Sequence, residues 1–357
     1  MISLTSLLYS RIKNEAIDRT IARITNAADS TTIIVTQSVI LPSCRSVVLL
    51  AINKCISGYT SSHKAILDTG DKFMKAGFIG LGHLGKTIAK RLISEGVELT
   101  VWNRTKEKAM DLGVPVADTP AALMSAVDVV FLNLFDSNAV ANVMGSSDGL
   151  LSGECKGKII IDLTTNHFDR VGAFYDASRC KGATYLESPV LGSIVPASQG
   201  ALTVLVSGEK ASYDRVRPLL EKIGKTIFYL EGESQATKLK LVNNLVLGTL
   251  MATCAEAVAF GEAVGVDRAT VIDILLAGAG NSMVLNGKKN KLINEDFSTH
   301  FSSSLIYKDL HYLQDLAKTL RKPLFTGSAV KELYGMTYAK GIEGEDFSAI
   351  YKLFKEY

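Results

Sequence analysis

Two groups of residues in this sequence have types and spacings that could do chemistry. The first is the glycine pattern G-x-G-x-x-G, formed by Gly80, Gly82 and Gly85 within the stretch GFIGLGHLGKTIAKRL. The second is a lysine followed four residues later by an asparagine, Lys240 and Asn244, in an otherwise apolar stretch. A glycine-rich turn suits a phosphate group, and a lysine whose ammonium is buried suits proton transfer.

The glycine pattern lies between an apolar strand pattern at 76–79 and a helical pattern at 87–93. In such a turn the first glycine allows the tight bend, the second lets a pyrophosphate approach the backbone, and the third lets the helix pack closely on the strand. The N-terminus of the helix then offers free N–H groups to the phosphates. We therefore predict a dinucleotide site rather than a plain turn, with these residues at the cofactor: Gly80, Leu81, Gly82, His83, Leu84 and Gly85.

The end of the next strand pattern, 98–102, bears on which dinucleotide is bound. The chain continues with Asn103, Arg104 and Thr105, where an NAD site usually carries an acid for the adenine ribose hydroxyls. An arginine can pair with a 2′-phosphate and stack on adenine, and Asn and Thr can add hydrogen bonds. We therefore predict that these residues bind NADP(H). NAD stays possible if Arg104 is an ordinary surface arginine.

Lys240 lies early in 236–265, a stretch that predicts one long helix, apolar nearly all round and therefore buried. Lys240 and Asn244 share one face of this helix. Burial lowers the pKa of a lysine towards neutrality, which suits a general acid that protonates the oxygen formed when a carbonyl accepts a hydride. The alternative is that the lysine extends to solvent from the start of the helix.

The elements that must position these residues predict an α/β fold. Strand patterns alternate with helical patterns as far as residue 235, which indicates an N-terminal Rossmann domain with a doubly wound, mostly parallel sheet. Only helical patterns follow, so we predict a Rossmann domain at 74–235 and an all-helical substrate and oligomerisation domain at 236–357 that begins with the long interdomain helix. The predicted strands are 76–79, 98–102, 128–133, 158–162, 183–187, 202–207 and 226–230. The further predicted helices are 267–277, 304–320, 327–340 and 346–356.

Composition argues against several classes of partner. The net charge is only +3 and no long basic run occurs, so we predict no nucleic-acid or membrane partner. The five cysteines are odd in number and show no C-x-x-C pairing, which makes a reducing cytoplasm the simplest location. The histidines lack metal-ligand spacing, so no metal site is predicted.

Five stretches, in this order, resemble the β-hydroxyacid dehydrogenase family, which includes 3-hydroxyisobutyrate dehydrogenases and glyoxylate/succinic semialdehyde reductases. The resemblance extends over 74–357 and implies an NADPH-dependent reductase of small carboxylated aldehydes, with the reverse oxidation of a hydroxyacid possible. We expect a homodimer or homotetramer. The stretches are GFIGLGHLG (77–85), DLTT (162–165), ESPVLGSIVPASQGALTVLVSG (187–208), KLKLVNN (238–244) and YKDL (307–310).

The resemblance also implies roles for individual residues. Lys240 would donate the proton to the substrate oxygen. Leu191 stands where the family often has serine, which suggests a substrate other than 3-hydroxyisobutyrate. The residues implied to bind the substrate are Thr164, Gly192, Ser193 and Asn244. Those implied to line the nicotinamide half of the cofactor site are Leu134, Phe135, Thr165 and Lys308.

Two alternatives to the reductase stay open. One is an NAD-dependent dehydrogenase of the 3-hydroxyisobutyrate type. The other is a scaffold that binds the cofactor without catalysis. Relatives of the scaffold type lose the catalytic lysine, so the presence of Lys240 argues for an enzyme.

Residues 1–73 precede the part that resembles the family. Family members begin only a few residues before the glycine pattern, and Met74 stands at that distance here. We therefore expect residues 1–73 to be an upstream, disordered extension of the reading frame rather than a domain. A transit peptide is the alternative, because basic residues outnumber acidic ones near the N-terminus.

A protein comprising residues 74–357 should therefore match the full chain in melting temperature and kcat. The physical reason is that a first strand buried on both faces needs no preceding segment. Thermal unfolding and steady-state kinetics of the two proteins side by side would measure this. An insoluble or inactive shorter protein would make the first 73 residues structural.

Overall fold

The structure is a computed structural model that describes residues 74–356. The prediction for residues 1–73 lies outside that range. One sheet runs through the first half of the described chain in the order β2-β1-β3-β4-β5-β7-β6, with β8 paired to β7. The strands are β1 Ala76–Ile79, β2 Leu99–Trp102, β3 Val129–Leu132, β4 Ile159–Asp162, β5 Thr184–Glu187, β6 Val190–Leu191, β7 Leu202–Gly208 and β8 Gly224–Leu230.

Helices cover both faces of this sheet, because the residues of each buried strand point alternately to either side. Phe78 of β1 belongs to the apolar core on one face, and Ile79 belongs to the core on the other. This confirms the predicted doubly wound α/β architecture. The helices of this part are α1 His83–Ser94, α2 Pro120–Ala126, α3 Ser137–Gly145, α4 Phe168–Cys180, α5 Ile194–Ser198 and α6 Lys210–Ile223.

The sheet is mixed at one end. Strands β1 to β5 are parallel to one another, whereas β7 runs antiparallel to both β5 and β6. The short strand β6 was not predicted, because two residues carry no recognisable alternation. The antiparallel return brings Leu191 beside Thr203, and so holds 187–193 along the carboxyl end of the sheet.

The second half of the described chain is all helical, as predicted. The long helix α7 spans 29 residues and forms the centre of an apolar core with the helices that follow it. By length and composition alone α7 could cross a membrane, a test that the core helix of a domain also passes. The helices are α7 Gln235–Ala263, α8 Arg268–Ala277, α9 Met283–Asn294, α10 Ser303–Thr319, α11 Phe325–Ala339 and α12 Tyr351–Glu356.

Two features of this half differ from the prediction. Helix α9 was not predicted, because its buried face combines Lys288 and Lys291 with only two leucines instead of presenting an apolar stripe. Lys288 pairs with the buried Asp346 at 2.8 Å, and Lys291 donates to main-chain carbonyls, so the buried ammonium groups have partners that periodicity does not reveal. The predicted helix at 346–356 is a 3-10 turn, Phe347–Ile350, followed by the shorter α12.

The expected burial of α7 on all sides was also wrong. One face of the helix carries exposed apolar side chains, and Val264, which caps the C-terminus of the helix, extends this face. Each step between them is three residues, four residues or a sum of such steps, which places them along one stripe. The residues of this stripe are Leu239, Val242, Val246, Phe260 and Val264, each more than two-fifths exposed.

The strand register sets where the functional residues meet. Ile79, the last residue of β1, pairs with the last residues of β2 and β3. The last residue of β3 pairs in turn with Asp162 at the end of β4, and Asp162 pairs with Glu187 at the end of β5. The loops after these strands therefore leave one edge of the sheet at the same level. Strand order reverses around β1, which is the position where such sheets bind ligands.

The glycine turn after β1 yields a test of this packing. A side chain at Gly85 would clash with the carbonyl oxygen of Gly80, whereas no described atom lies within 4 Å of the position a side chain at Gly82 would take. Gly85→Ala should therefore lower the free energy of unfolding by about 1–3 kcal/mol, as overpacking does. Gly82→Ala is the matched control and should be destabilised less, because it loses only the preference of an N-cap position for glycine over alanine. A denaturation midpoint of Gly85→Ala no lower than that of Gly82→Ala would show that the turn accommodates the added methyl group.

Candidate active site

The glycine turn has the shape that a pyrophosphate needs. Gly80 has a φ of +100°, a conformation that favours glycine, and a side chain there would meet the carbonyl of Asn133. Gly85 packs against the carbonyl of Gly80. Gly82 instead faces open space within the described structure, so a ligand can come up to the backbone at this position. The three glycines thus divide into two that serve packing and one that leaves room for phosphates.

The N-terminus of α1 is open beside this space. Gly82 is the N-cap residue and has no side chain to bond the first N–H groups of the helix, and no acid lies in the first turn. Those N–H groups are therefore available to an anion. Of the other predicted loop residues, Leu81 is buried, Leu84 is half-buried and His83 is exposed. These observations fit a dinucleotide phosphate group.

The residues after β2 take different roles. The Oδ1 of Asn103 accepts the Leu81 N–H at 2.8 Å, and its Nδ2 donates to the Thr105 carbonyl at 2.8 Å. The carboxamide of Asn103 therefore fixes the glycine turn against the end of β2. Arg104 and Thr105 are exposed, and Arg104 forms no ion pair with any residue that the structure describes. Its guanidinium is thus available at the adenosine end of the predicted site.

The loops after β3 and β4 are bonded to each other. Thr164 is buried, and its hydroxyl accepts the Leu134 N–H at 3.0 Å. The carboxylate of Asp162 accepts from the Thr164 N–H at 2.8 Å and from the Tyr185 hydroxyl at 2.6 Å. Thr164 therefore connects two loops of the Rossmann part. Its implied contact with the substrate stays a prediction.

Lys308 of α10 joins the helical part to these loops. Its Nζ donates to the Phe135 carbonyl at 2.8 Å and to the Thr165 carbonyl at 3.1 Å. The same ammonium lies over the rings of Phe135 and Tyr312, at 5.6 Å and 5.3 Å from the ring centroids. The implied nicotinamide-side residues Leu134, Phe135, Thr165 and Lys308 are therefore together in space.

Lys240 is buried in the structure, so the alternative of a solvent-exposed lysine is wrong. Its Nζ donates to the carbonyl of Val190 at 2.8 Å. Burial lowers the pKa of Lys240 to about 8, an effect that Asp309 opposes and the positive charge of Lys308 adds to. An ammonium whose pKa lies near neutrality can both give and take a proton in water.

Asn244 lies one turn beyond Lys240 on α7 and is fully buried. Its Nδ2 donates to the Oδ2 of Asp309 at 2.6 Å, and its Oδ1 accepts from Asn243 at 3.1 Å. Asp309 also forms an ion pair with Lys308 at 3.2 Å. Asn244 is therefore linked through Asp309 to the lysine that contacts the two loops, and the charge of the same acid acts on Lys240.

The remaining implied substrate residues follow β6. Gly192 has a φ of +120° and is exposed, and Ser193 is the N-cap of α5 without a side-chain bond to that helix. The hydroxyl of Ser193 is thus not used for capping. Leu191 is half-buried. This segment begins at the carbonyl that accepts from Lys240, so it borders the same site.

Sequence reasoning missed two buried acids that hold the site together. Glu187 accepts the main-chain N–H of Thr237 at 3.0 Å and the hydroxyl of Tyr175 at 3.0 Å, which fixes the first turn of α7 to the end of β5. Burial raises the pKa of the Glu187 carboxyl, and its hydrogen bonds oppose that effect. Asp309 is the second. Both acids lie inside motifs that resemble the family, ESPVLGS and YKDL. Their place in these motifs was the signal in the sequence that could have identified them.

Comparison with family models covers nearly all of the described chain. Residues 75–232 match the model described as the NAD binding domain of 6-phosphogluconate dehydrogenase. Residues 234–354 match the model described as NAD-binding of NADP-dependent 3-hydroxyisobutyrate dehydrogenase. The boundary between the two matches falls at the start of α7.

Individual proteins give the same result. Glyoxylate/succinic semialdehyde reductase 2, chloroplastic, of Arabidopsis thaliana is 31% identical over 304 residues, which cover 83% of this chain and 84% of the reductase. Cytokine-like nuclear factor N-PAC of Mus musculus is 31% identical over 280 residues, which cover 78% of this chain but only 51% of N-PAC. The chain therefore spans about half the length of that second relative.

A solved structure, Psf3 in complex with NADP+ and 2-OPP, shares the fold with a TM-score of 0.72 and 28% identity, covering 78% of this chain and 99% of Psf3. Fold and relatives confirm the resemblance that the motifs predicted. The chain belongs to the β-hydroxyacid dehydrogenase family and is an NAD(P)-dependent oxidoreductase acting on hydroxyl or carbonyl groups.

Proposed function

We propose that this protein is an NADPH-dependent reductase of small carboxylated aldehydes, with Lys240 as the general acid. The observation that carries the proposal is the buried ammonium of Lys240, with its pKa lowered to about 8. The ammonium lies at the junction of the two parts, where the chain segment after β5 meets α7. A substrate oxygen that becomes negatively charged beside this ammonium could take a proton from it.

Each residue of the site would have its own role in the reduction of the carbonyl group. When bound, the reduced nicotinamide supplies a hydride to the carbonyl carbon. Lys240 gives a proton from Nζ to the carbonyl oxygen, so that the C=O bond becomes a C–O–H group and the lysine becomes a neutral amine. Asn244 and Ser193 offer hydrogen bonds to the substrate, and the neutral Lys240 regains its proton from solvent. In the opposite direction the neutral amine of Lys240 accepts the proton of the alcohol.

The preference for NADPH rests on Arg104. It lies directly after β2 and is exposed, and no described acid neutralises its charge. A guanidinium in this place can bind a 2′-phosphate with two parallel hydrogen bonds. An NAD-dependent dehydrogenase of the 3-hydroxyisobutyrate type is the second candidate. The half-buried Leu191 disfavours it, because leucine offers a substrate carboxylate no hydroxyl.

We also propose that the protein is a homodimer or a multiple of one, assembled through the exposed apolar stripe of α7. Isolated exposed apolar residues are ordinary, but several of them on one face of a long helix, in one group on either side of its middle, mark an interaction surface. Val246 and Phe260 lie equally far in sequence on either side of Thr253, as do Val242 and Val264. Two antiparallel copies of α7 related by a two-fold axis at Thr253 would therefore pair apolar residues with apolar residues.

Lys240→Ala should reduce kcat by about 10²–10⁴-fold, the usual contribution of a general acid, while NADPH still binds.

In the wild type, aldehyde reduction should decline as pH rises through about 8, because the protonated lysine is the acid and its pKa is about 8. Oxidation of the hydroxyacid should instead increase through the same range. Steady-state rates and NADPH fluorescence titration measure these effects, and a mutant with near-normal kcat would refute the assignment.

Arg104→Asp should lower the ratio of kcat/KM for NADPH over NADH by about tenfold or more, because a charge-assisted contact is lost and like charges then repel. Arg215→Asp is the matched control, since Arg215 is an exposed arginine on α6, outside the predicted cofactor site. The control should keep the wild-type ratio. If Arg104→Asp keeps it as well, Arg104 is only a surface residue.

Phe260→Glu should shift the protein to a smaller assembly in light scattering coupled to size-exclusion chromatography, because a charge within an apolar interface is costly to bury. Phe325→Glu is the control. Phe325 is 81% exposed and lies on α11, outside the stripe. A monomeric wild type, or equal effects of the two substitutions, would argue against assembly through α7.

A further inference from the structure

Asp309 is a buried acid between the residues of two sites. It is 1% exposed, and its carboxylate accepts from Asn244 at 2.6 Å and pairs with Lys308 at 3.2 Å. Asn244 belongs to the proposed substrate site, and Lys308 reaches the loops that border the nicotinamide. A fully buried carboxylate is costly unless it has such partners, so its presence here requires an explanation.

The first consequence concerns the direction of the Asn244 carboxamide. An amide of this kind can exchange the places of its oxygen and nitrogen with little cost unless its neighbours distinguish them. A carboxylate can only accept hydrogen bonds, so Asp309 requires the Nδ2 side of Asn244 to face it. The Oδ1 accepts from Asn243 at 3.1 Å on the other side. Asn244 therefore has one N–H left, which it can donate to a substrate oxygen.

The second consequence concerns charge. The positive charges of Lys240 and Lys308 repel each other, and the carboxylate of Asp309 supplies a negative charge that acts on both. The charged groups that act on Lys240 are Asp309 and Lys308, both from α10, while the chain after β5 presents the Val190 carbonyl. With the carboxylate present, the three groups leave one net positive charge, which suits an anionic substrate.

We propose that Asp309 is a positioning residue, whose carboxylate holds Asn244 as a hydrogen-bond donor towards the substrate and whose charge keeps Lys240 protonated. The inference rests on the proposed role of Lys240. Asp309 on α10 would thus determine both the orientation of Asn244 and the protonation of Lys240, two residues on α7. It also predicts that the substrate atom next to Asn244 is a hydrogen-bond acceptor, such as a carboxylate oxygen.

The test compares Asp309→Asn with Asp315→Asn. The first removes the charge and allows the carboxamide of Asn244 to turn round, while shape changes little. The second removes a carboxylate from the same helix that is mostly exposed and pairs with His167. Asp309→Asn should reduce kcat for reduction about tenfold and move its alkaline limb about one unit lower in pH, as expected for loss of a nearby opposite charge. Asp315→Asn should change neither.

A second variant separates the two roles and serves if Asp309→Asn does not fold. Asp309→Glu keeps the charge but displaces the carboxylate from Asn244. It should lower kcat while the alkaline limb stays where it is in the wild type. A normal kcat in Asp309→Glu would overturn the orienting role, and an unmoved alkaline limb in folded Asp309→Asn would overturn the role in protonation.

A measurement without turnover distinguishes failure of this inference from failure of the proposed function. Protein labelled with ¹³C-lysine gives a resonance for Lys240 that is identified by its loss in Lys240→Ala, and its pH titration reports protonation directly. The midpoint should be lower in Asp309→Asn than in the wild type, whether or not any aldehyde is reduced. If the wild type reduces no aldehyde but the midpoint moves, only the proposed reaction is wrong. If reduction occurs and the midpoint does not move, only the protonation role of Asp309 is wrong.

Discussion

The burial of one ammonium group imposes the main constraint on this structure. Lys240 lies on the central helix of an apolar domain, where a charge loses its hydration and must find other partners. Its acceptor is a main-chain carbonyl of the chain that follows β5, and its counter-charge is an acid on α10. The Rossmann part, the long helix and the helix α10 therefore have to meet at one point, and the site is the place where they do.

The sheet makes this meeting possible through its register. Because the first five strands end level with one another, the glycine turn, the loop with Leu134 and the loop with Thr164 contact each other without long connections. Glu187, at the end of the same row, receives the first turn of α7. Glu187 thus fixes the start of α7, and Lys240 on that helix contacts the carbonyl of Val190, three residues after Glu187.

Much of this arrangement could be predicted from the sequence, because glycine turns and apolar strands leave strong local patterns. The strands of the parallel sheet and the long helix fall within a few residues of their predicted places. Helix α9 could not be predicted, since its buried face uses lysines whose partners, such as Asp346, are distant in sequence. Asp309 was overlooked for the same reason: a carboxylate looks like a surface residue until the fold brings its partner Asn244, which lies on another helix, into contact with it.

The contacts of Lys308 have a consequence for how the protein can change over evolutionary time. On the Rossmann side both acceptors are main-chain carbonyls, those of Phe135 and Thr165. Every amino acid supplies such a carbonyl, so side chains at these two positions can be exchanged without removing the link between the two halves. The helical side, by contrast, depends on a single ammonium. The side chains that border the proposed nicotinamide site can therefore change while the joint between the two halves stays intact.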